Sequence, residues 1–262
     1  LKSNIHETFR DELILLKGAR KFNFEKINNI LEEKIHETVL EVDLDAVVHN
    51  FNYYKAKLKP DVKLICMVKA NAYGAGAVEI TKTLQYHRCD YLAVAVAEEA
   101  VSLRNEGITL PIIVLNPEVN GFDELITNNL EPEIYNFRIL ETFIKNSERS
   151  GITDYPIHLK IDTGMHRLGF LPGQIEELAD ILKKQKGLRV KSIFSHLSAS
   201  ESWTFDDFTH QQMNTFKEVA DKIENVLGYT VYKHILNSAG IERFHDYEWD
   251  MARLGIGLYG IS

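Results

Sequence analysis

Cysteine is scarce: Cys66 and Cys89 are the only two among 262 residues, and neither has a second ligand at metal spacing. That excludes a disulfide framework and points to a reducing compartment, the cytoplasm. Six prolines and fifteen glycines, scattered, form no low-complexity linker. No run approaches the ~18 apolar residues of a membrane span. Leu1-Lys2-Ser3-Asn4 begins no cationic-then-apolar signal peptide. Basic charge is also short, since 30 Lys and Arg against 38 Asp and Glu give a net charge of −8. A nucleic-acid partner, whose phosphates need a basic face, is therefore disfavoured. No Asp, Glu or His cluster has metal-ligand spacing. An initiator methionine is missing too, as expected of a piece of a longer chain.

What is present suits a packed core: 45% of residues are hydrophobic and 26% charged. Short apolar runs alternate with longer amphipathic segments, the pattern of a parallel sheet with crossover helices. Eight runs read as strands: Leu64–Val68, Tyr91–Ala95, Ile112–Leu115, Glu131–Ile134, Ile157–Ile161, Val190–Ser195, Tyr232–Leu236 and Met251–Leu254. Helical spacing marks Ala97–Asn105, Phe137–Ser150, Pro172–Lys186 and Phe208–Leu227, with Pro172 at a helix start and Gly187 and Gly228 at helix ends. The fold class predicted is α/β, a (β/α)₈ barrel, with a doubly wound open sheet as the alternative. Residues 1–37 break the rhythm: Asp11–Arg20 reads as a strand and turn and Phe24–Leu31 as a helix. The alternation resumes with an expected strand at Val39–Leu44 and an amphipathic segment at Asp45–Leu58.

In such a barrel the chemistry sits at the carboxyl ends of the strands. The first run ends in Val68-Lys69-Ala70-Asn71-Ala72-Tyr73-Gly74. A lysine closing a buried strand faces a low-dielectric mouth, which favours the neutral amine and suits it to Schiff-base chemistry, although a lysine snorkelling to solvent reads the same way. The fifth run leads into Lys160-Ile161-Asp162-Thr163-Gly164-Met165-His166-Arg167-Leu168-Gly169. There Lys160 and Arg167 either face one anionic ligand or leave Arg167 paired with Asp162. His196 follows the sixth run, placed to stack on a planar ring, to move protons or to serve as a structural histidine. The seventh run leads into Asn237-Ser238 and the eighth, through Arg253-Leu254, into Gly255-Ile256-Gly257, where barrels often bind phosphate; the glycines fit close backbone approach or plain tight turns. Together these groups describe pyridoxal phosphate better than a metal or a nucleotide.

From about residue 38 onward these motifs resemble the pyridoxal-phosphate-dependent alanine racemases, in content and in order. The resemblance implies that Lys69 holds the cofactor and acts as one of two proton-transfer bases. It further implies that Tyr73, Ser238, Gly255 and Ile256 hold the phosphate, with Asn237 lining that end and His196 against the pyridine face. Arg253 is placed at the pyridine nitrogen, leaving it unprotonated and the ring a weaker electron sink. Arg167 is implied to reach the cofactor's phenolic oxygen and the substrate carboxylate. Lys160 resembles a position that is often carbamylated, becoming an anion that supports Arg167. Removing the α-proton from one face and returning one to the other requires a second base. In the family this is a tyrosine from a carboxy-terminal β domain of the partner subunit of a homodimer, a domain expected to be missing here, since the chain stops at Tyr259-Gly260-Ile261-Ser262.

Asp11–Arg20 with Phe22-Asn23-Phe24-Glu25-Lys26-Ile27 is similar to the last strand and helix of the ligase that adds D-alanyl-D-alanine to the peptidoglycan precursor. These resemblances imply a 1–37 ligase tail joined to a 38–262 racemase barrel, and hence a piece of a fusion interconverting L- and D-alanine for cell-wall synthesis. The alternatives are a non-catalytic pyridoxal phosphate carrier, expected to have little use for Lys160, Arg167 and Arg253, and a barrel racemase or decarboxylase of another amino acid. A decarboxylase is expected to place a carboxylate where Arg253 stands.

Overall fold

Eight short strands run parallel: β1 Lys63–Met67, β2 Tyr91–Val94, β3 Ile112–Val114, β4 Glu131–Ile134, β5 Tyr155–Lys160, β6 Leu188–Phe194, β7 Tyr232–His234 and β8 Met251–Leu254. They are seen in a computed structural model that describes residues 40–261. The strand order is β7-β6-β5-β4-β3-β2-β1-β8. β1 thus pairs with both β2 and β8, setting Ile65 beside Tyr91 and beside Arg253. Across the remaining seam the Arg253 N–H donates to the Leu236 carbonyl at 3.0 Å and the Asp250 N–H to Lys233 at 3.1 Å. The sheet therefore closes into a (β/α)₈ barrel, not the open sheet.

Period two explains its two faces. Leu64, Cys66, Leu92, Val94, Ile112 and Val114 belong to the core shared with the surrounding helices. At about 1.5–3 kcal/mol for each large side chain buried, this layer sets the fold. The alternating residues turn inward and form a separate cluster of Ile65, Met67, Tyr91, Ala93, Ile113 and Met251. That apolar half meets a polar half made from β4 to β8: Glu131, Glu133, His158, Lys160, Ser192, His234 and Arg253 are all buried.

The helices are α1 Leu44–Lys57, α2 Ala77–Tyr86, α3 Ala97–Asn105, α4 Phe122–Thr127, α5 Phe137–Ser150, α6 Ile175–Lys184, α7 Asp206–Leu227 and α8 Ser238–Arg243. Their ends follow ordinary capping chemistry. The Asn136 side chain accepts from the Ile139 N–H at the start of α5, and Gly151 closes that helix in the left-handed region at φ 65°. The strand expected over Val39–Leu44 is not formed at residues 40–44; residue 39 lies outside the described residues. There the Asp43 carboxylate accepts from the N–H groups of Asp45 and Ala46, so its alternation serves a helix cap. The ligase-like tail over 1–37 also lies outside the described residues. No helix among the described residues is long and apolar enough to cross a membrane.

Candidate active site

After β1 the backbone makes a turn of the opposite hand. Ala70, Asn71, Ala72 and Tyr73 have φ of 52°, 52°, 54° and 56°, and Gly74 follows at 89°. Each L-residue held this way costs roughly 1–2 kcal/mol, so four in succession need support from outside. Glu99 on α3 supplies part of it, accepting from the Ala70 N–H at 2.6 Å and from the Ala95 N–H at 2.7 Å. Asn71 Oδ1 accepts from the Ala77 N–H at 2.9 Å, tying the turn to α2. Lys69, the residue before this turn, lines a cavity at the strand ends with its Nζ 6.0 Å from the centre of the Tyr73 ring.

The cavity measures about 890 Å³, within the range of small-molecule sites. Ten residues singled out from the sequence line it: Lys69, Tyr73, Lys160, Arg167, His196, Asn237, Ser238, Arg253, Gly255 and Ile256. One end is a small cradle. Ser238 Oγ accepts from the N–H groups of Gly255 at 3.0 Å and Gly257 at 3.2 Å. A Cβ at Gly255 would stand 3.6 Å from the Tyr73 hydroxyl and 3.7 Å from Ser238 Oγ. Two hydroxyls thus bound the space that the missing side chain leaves free, a donor set suited to phosphate oxygens. The Tyr73 ring lies against Tyr259, whose hydroxyl donates to the Met67 carbonyl at 2.9 Å.

Arg253 is surrounded by acceptors. Its guanidinium donates to His234 Nδ1 at 2.7 Å and to the carbonyls of Ser195 at 2.5 Å and Ile235 at 3.0 Å, with His196 Nδ1 at 3.5 Å. Burial lowers its pKa to about 10, still a cation at neutral pH. Burial and the Arg253 charge also hold His196 and His234 well below the usual imidazole range, so both rings are neutral. His196 therefore presents a neutral ring to the cavity.

The Asp162–Arg167 pair, the structural alternative read from the sequence, is not formed. Asp162 Oδ1 instead accepts from the N–H groups of Gly164 at 2.9 Å and His166 at 3.0 Å, and Oδ2 lies 3.4 Å from His166 Nδ1. Arg167 makes no ion pair among the described residues. The loop folds back on β5 through Phe170, whose N–H donates to the Lys160 carbonyl at 2.9 Å while its own carbonyl accepts from Asp162 at 3.0 Å. Gly169 permits this approach, since a Cβ there would sit 2.5 Å from the Asp162 nitrogen.

Glu133 is a cavity residue that the motifs missed. Burial pushes its carboxyl up to about 7, against the pull of Lys160, Arg253 and Arg167. Burial equally brings Lys160 down to about 7, against the pull of Glu133. The signal was period two in Glu131-Pro132-Glu133-Ile134, which sets both glutamates on one strand face, but sequence alone does not say that this face looks into the barrel. Among the described residues no group of three or more His, Cys, Asp or Glu could hold a metal ion.

Residues 42–262 match the family model described as alanine racemase, N-terminal domain. The chain is 37% identical over 224 residues to an alanine racemase of Thermodesulfovibrio yellowstonii, covering 84% of this chain and 59% of that protein. It is 34% identical over 230 residues to alanine racemase 2 of Caldanaerobacter subterraneus subsp. tengcongensis, covering 87% and 59%. Among solved structures, the alanine racemase of Clostridium difficile 630 in complex with cycloserine superposes with a TM-score of 0.80 at 34% identity, covering 87% of this chain and 63% of that one. The chain thus spans about three fifths of these relatives. Strand-end lysine, acceptor-bound arginine and hydroxyl cradle stand on one barrel mouth, within the matched segment: the chain belongs to the alanine racemase family, and residues 42–262 are its N-terminal barrel domain.

Proposed function

We propose that this barrel binds pyridoxal phosphate and serves, in the full-length protein, to interconvert L- and D-alanine. The observation that carries the reading is Arg253, buried, enclosed by acceptors and lining the same cavity as Lys69. A decarboxylase needs an acid in its place, and a mere carrier gains nothing from burying a guanidinium there. When bound, the cofactor supplies an electron sink for the charge left as the α-proton departs.

This chain's residues divide the remaining work. The Lys69 amine would attach the cofactor and move a proton on one face of the substrate. The hydroxyls of Tyr73 and Ser238, with the backbone at Gly255 and Ile256, would hold the phosphate, with Asn237 lining that end. His196 would lie against the ring without adding charge. Arg253 would offer only donors to the pyridine nitrogen and so keep it unprotonated, which would restrain the electron sink. Arg167, which makes no ion pair among the described residues, would take the substrate carboxylate and the phenolic oxygen, supported by Lys160. The opposing base, in this reading, is a tyrosine from the partner subunit of a cytoplasmic homodimer. In the same proposal residues 1–37 are the tail of a ligase that adds D-alanyl-D-alanine, joined to the barrel; coding sequence upstream that encodes no such ligase would refute it.

Titrating the protein with pyridoxal phosphate is expected to give the absorption band of lysine-bound cofactor, and Lys69→Ala to abolish it. An unchanged band in that variant would sink the assignment. D-alanine formed from L-alanine by the full-length protein, and not by its Lys69→Ala variant, tests the reaction.

A further inference from the structure

Below Arg253 the polar half of the barrel is one continuous hydrogen-bond chain. Arg253 on β8 bonds His234 Nδ1 on β7 at 2.7 Å, and His234 Nε2 meets Ser192 Oγ on β6 at 3.0 Å. Ser192 Oγ lies 2.6 Å from His158 Nδ1 on β5, and His158 Nε2 lies 2.8 Å from Glu131 Oε2 on β4. Glu131 Oε1 then accepts from Lys191 Nζ at 2.7 Å. His158 and Ser192 are wholly buried, and His234 nearly so.

A register shift builds this alignment. Ile157 pairs with Val190 but His158 with Ser192, so Lys191 is the extra residue of a bulge. In an unbroken ladder His158 would face Lys191. With the bulge, it faces the serine hydroxyl and Lys191 reaches Glu131. Phe194 stacks flat on the His234 ring, 4.8 Å between centres and 1° between planes, which holds the ring's orientation.

The ends of the chain fix the direction of every bond between them. Arginine can only donate, so His234 Nδ1 is bare and its proton is on Nε2, pointing at Ser192. Ser192 has one proton, and His158 Nδ1 is the neighbour able to accept it. His158 then carries its own proton on Nε2 and gives it to Glu131. Burial alone would raise the Glu131 carboxyl, yet the bonds from His158 and Lys191 hold it below its usual range, as an acceptor.

We propose that Glu131, His158 and Ser192 are positioning residues for Arg253: they hold His234 in the tautomer whose Nδ1 lone pair faces the guanidinium. Reverse the His234 tautomer and an N–H is thrust against an N–H of Arg253 in a dry site. The chain's direction follows from these contacts alone, while its value to catalysis rests on the family reading of Arg253.

The test uses the full chain labelled with ¹⁵N-histidine. Long-range ¹H–¹⁵N correlations, assigned with His158→Gln and His234→Gln, report which ring nitrogen carries the proton. Wild type without cofactor is expected to show Nε2–H at both rings. Glu131→Gln, whose amide oxygen still accepts from His158, is expected to keep that pattern. Ser192→Ala removes the central link and leaves the His234 Nε2–H without an acceptor, so that Arg253 alone still favours that tautomer; a minor Nδ1–H population is expected at His234, and Ser192→Thr is expected to restore the wild-type pattern. Affinity for pyridoxal phosphate is expected to fall about tenfold in Ser192→Ala and to recover in Ser192→Thr. A wild-type His234 protonated on Nδ1, or a Ser192→Ala variant with unchanged tautomer and affinity, overturns the proposal. If Ser192→Ala does not fold, the wild-type and Ser192→Thr spectra still decide the direction. Should the wild type bind no cofactor, the family reading of the cavity fails while the ring spectra still judge the chain.

Discussion

Replacing Ala70 by glycine should stabilise this protein, the reverse of what that change does in an ordinary helix. Ala70 is exposed, at φ 52° in the left-handed turn after β1, and its N–H already bonds Glu99. An L-residue held there costs roughly 1–2 kcal/mol, and glycine escapes that cost. Glycine gives back about 0.4–1 kcal/mol through the greater freedom of the unfolded chain. The balance is about 1 kcal/mol of added stability, or a Tm higher by about 2–4 °C for a domain of this size. In a right-handed helix interior the same change would cost about 1 kcal/mol, so the two geometries predict opposite signs. Ala72 provides the internal control, since its φ is 54° but its methyl is wholly buried. There the loss of about 0.8 kcal/mol of packing offsets the relief of strain, and Ala72→Gly should melt close to wild type. Thermal melts followed by circular dichroism, on cofactor-free protein, are sufficient. An Ala70→Gly variant that melts below wild type would refute the left-handed turn as the source of strain.

Gly169→Ala should be costly, because φ is 128° and the new Cβ would meet the Asp162 nitrogen at 2.5 Å and the Ile161 carbonyl carbon at 2.7 Å. Strain and overpacking together predict a loss of about 2–5 kcal/mol; an unchanged urea midpoint would contradict the close approach. Lys160, brought down to about 7 by burial, should take up ¹³CO₂ as its neutral amine. Amine and CO₂ give carbamate and a proton, so the ¹³C carbamate signal should grow as pH rises through about 7 and vanish in Lys160→Arg. Glu133 favours the protonated lysine, so Glu133→Gln should move the onset to lower pH. Uptake that begins only near the pKa of an ordinary lysine, about 10, would show that Lys160 is not perturbed.

Strands such as β1, β2 and β3 were legible because a parallel sheet buried on both faces leaves near-continuous apolar runs, whereas β4, Glu131-Pro132-Glu133-Ile134, carries two buried carboxyl groups. The site was legible where chemistry gathers at strand ends, at Lys69, His196, Ser238 and Arg253. What lies beneath was not. Glu131, His158 and Ser192 sit within strands whose inward face is chosen by barrel closure, and the bulge at Lys191 leaves no mark in composition. The left-handed turn was equally hidden: Ala70, Ala72 and Tyr73 are unusual occupants of that region, and only Asn71 hints at it. At Asp43 local hydrogen bonding overrode the in-out alternation, which is why a cap stands where a strand was expected.

The pairing of β1 with β8 bears on how the protein matures. Lys63 must find Met251, with nearly the whole barrel between them, and such distant pairings form slowly because loop closure comes before their reward. Lys69 follows the first strand and Arg253 lies in the last. During synthesis the two side chains therefore come to share a mouth only after the final strand has been made and docked. A ligand that needs both is bound by finished barrels and ignored by unfinished ones, so its retention reports whether a nascent chain has completed its fold.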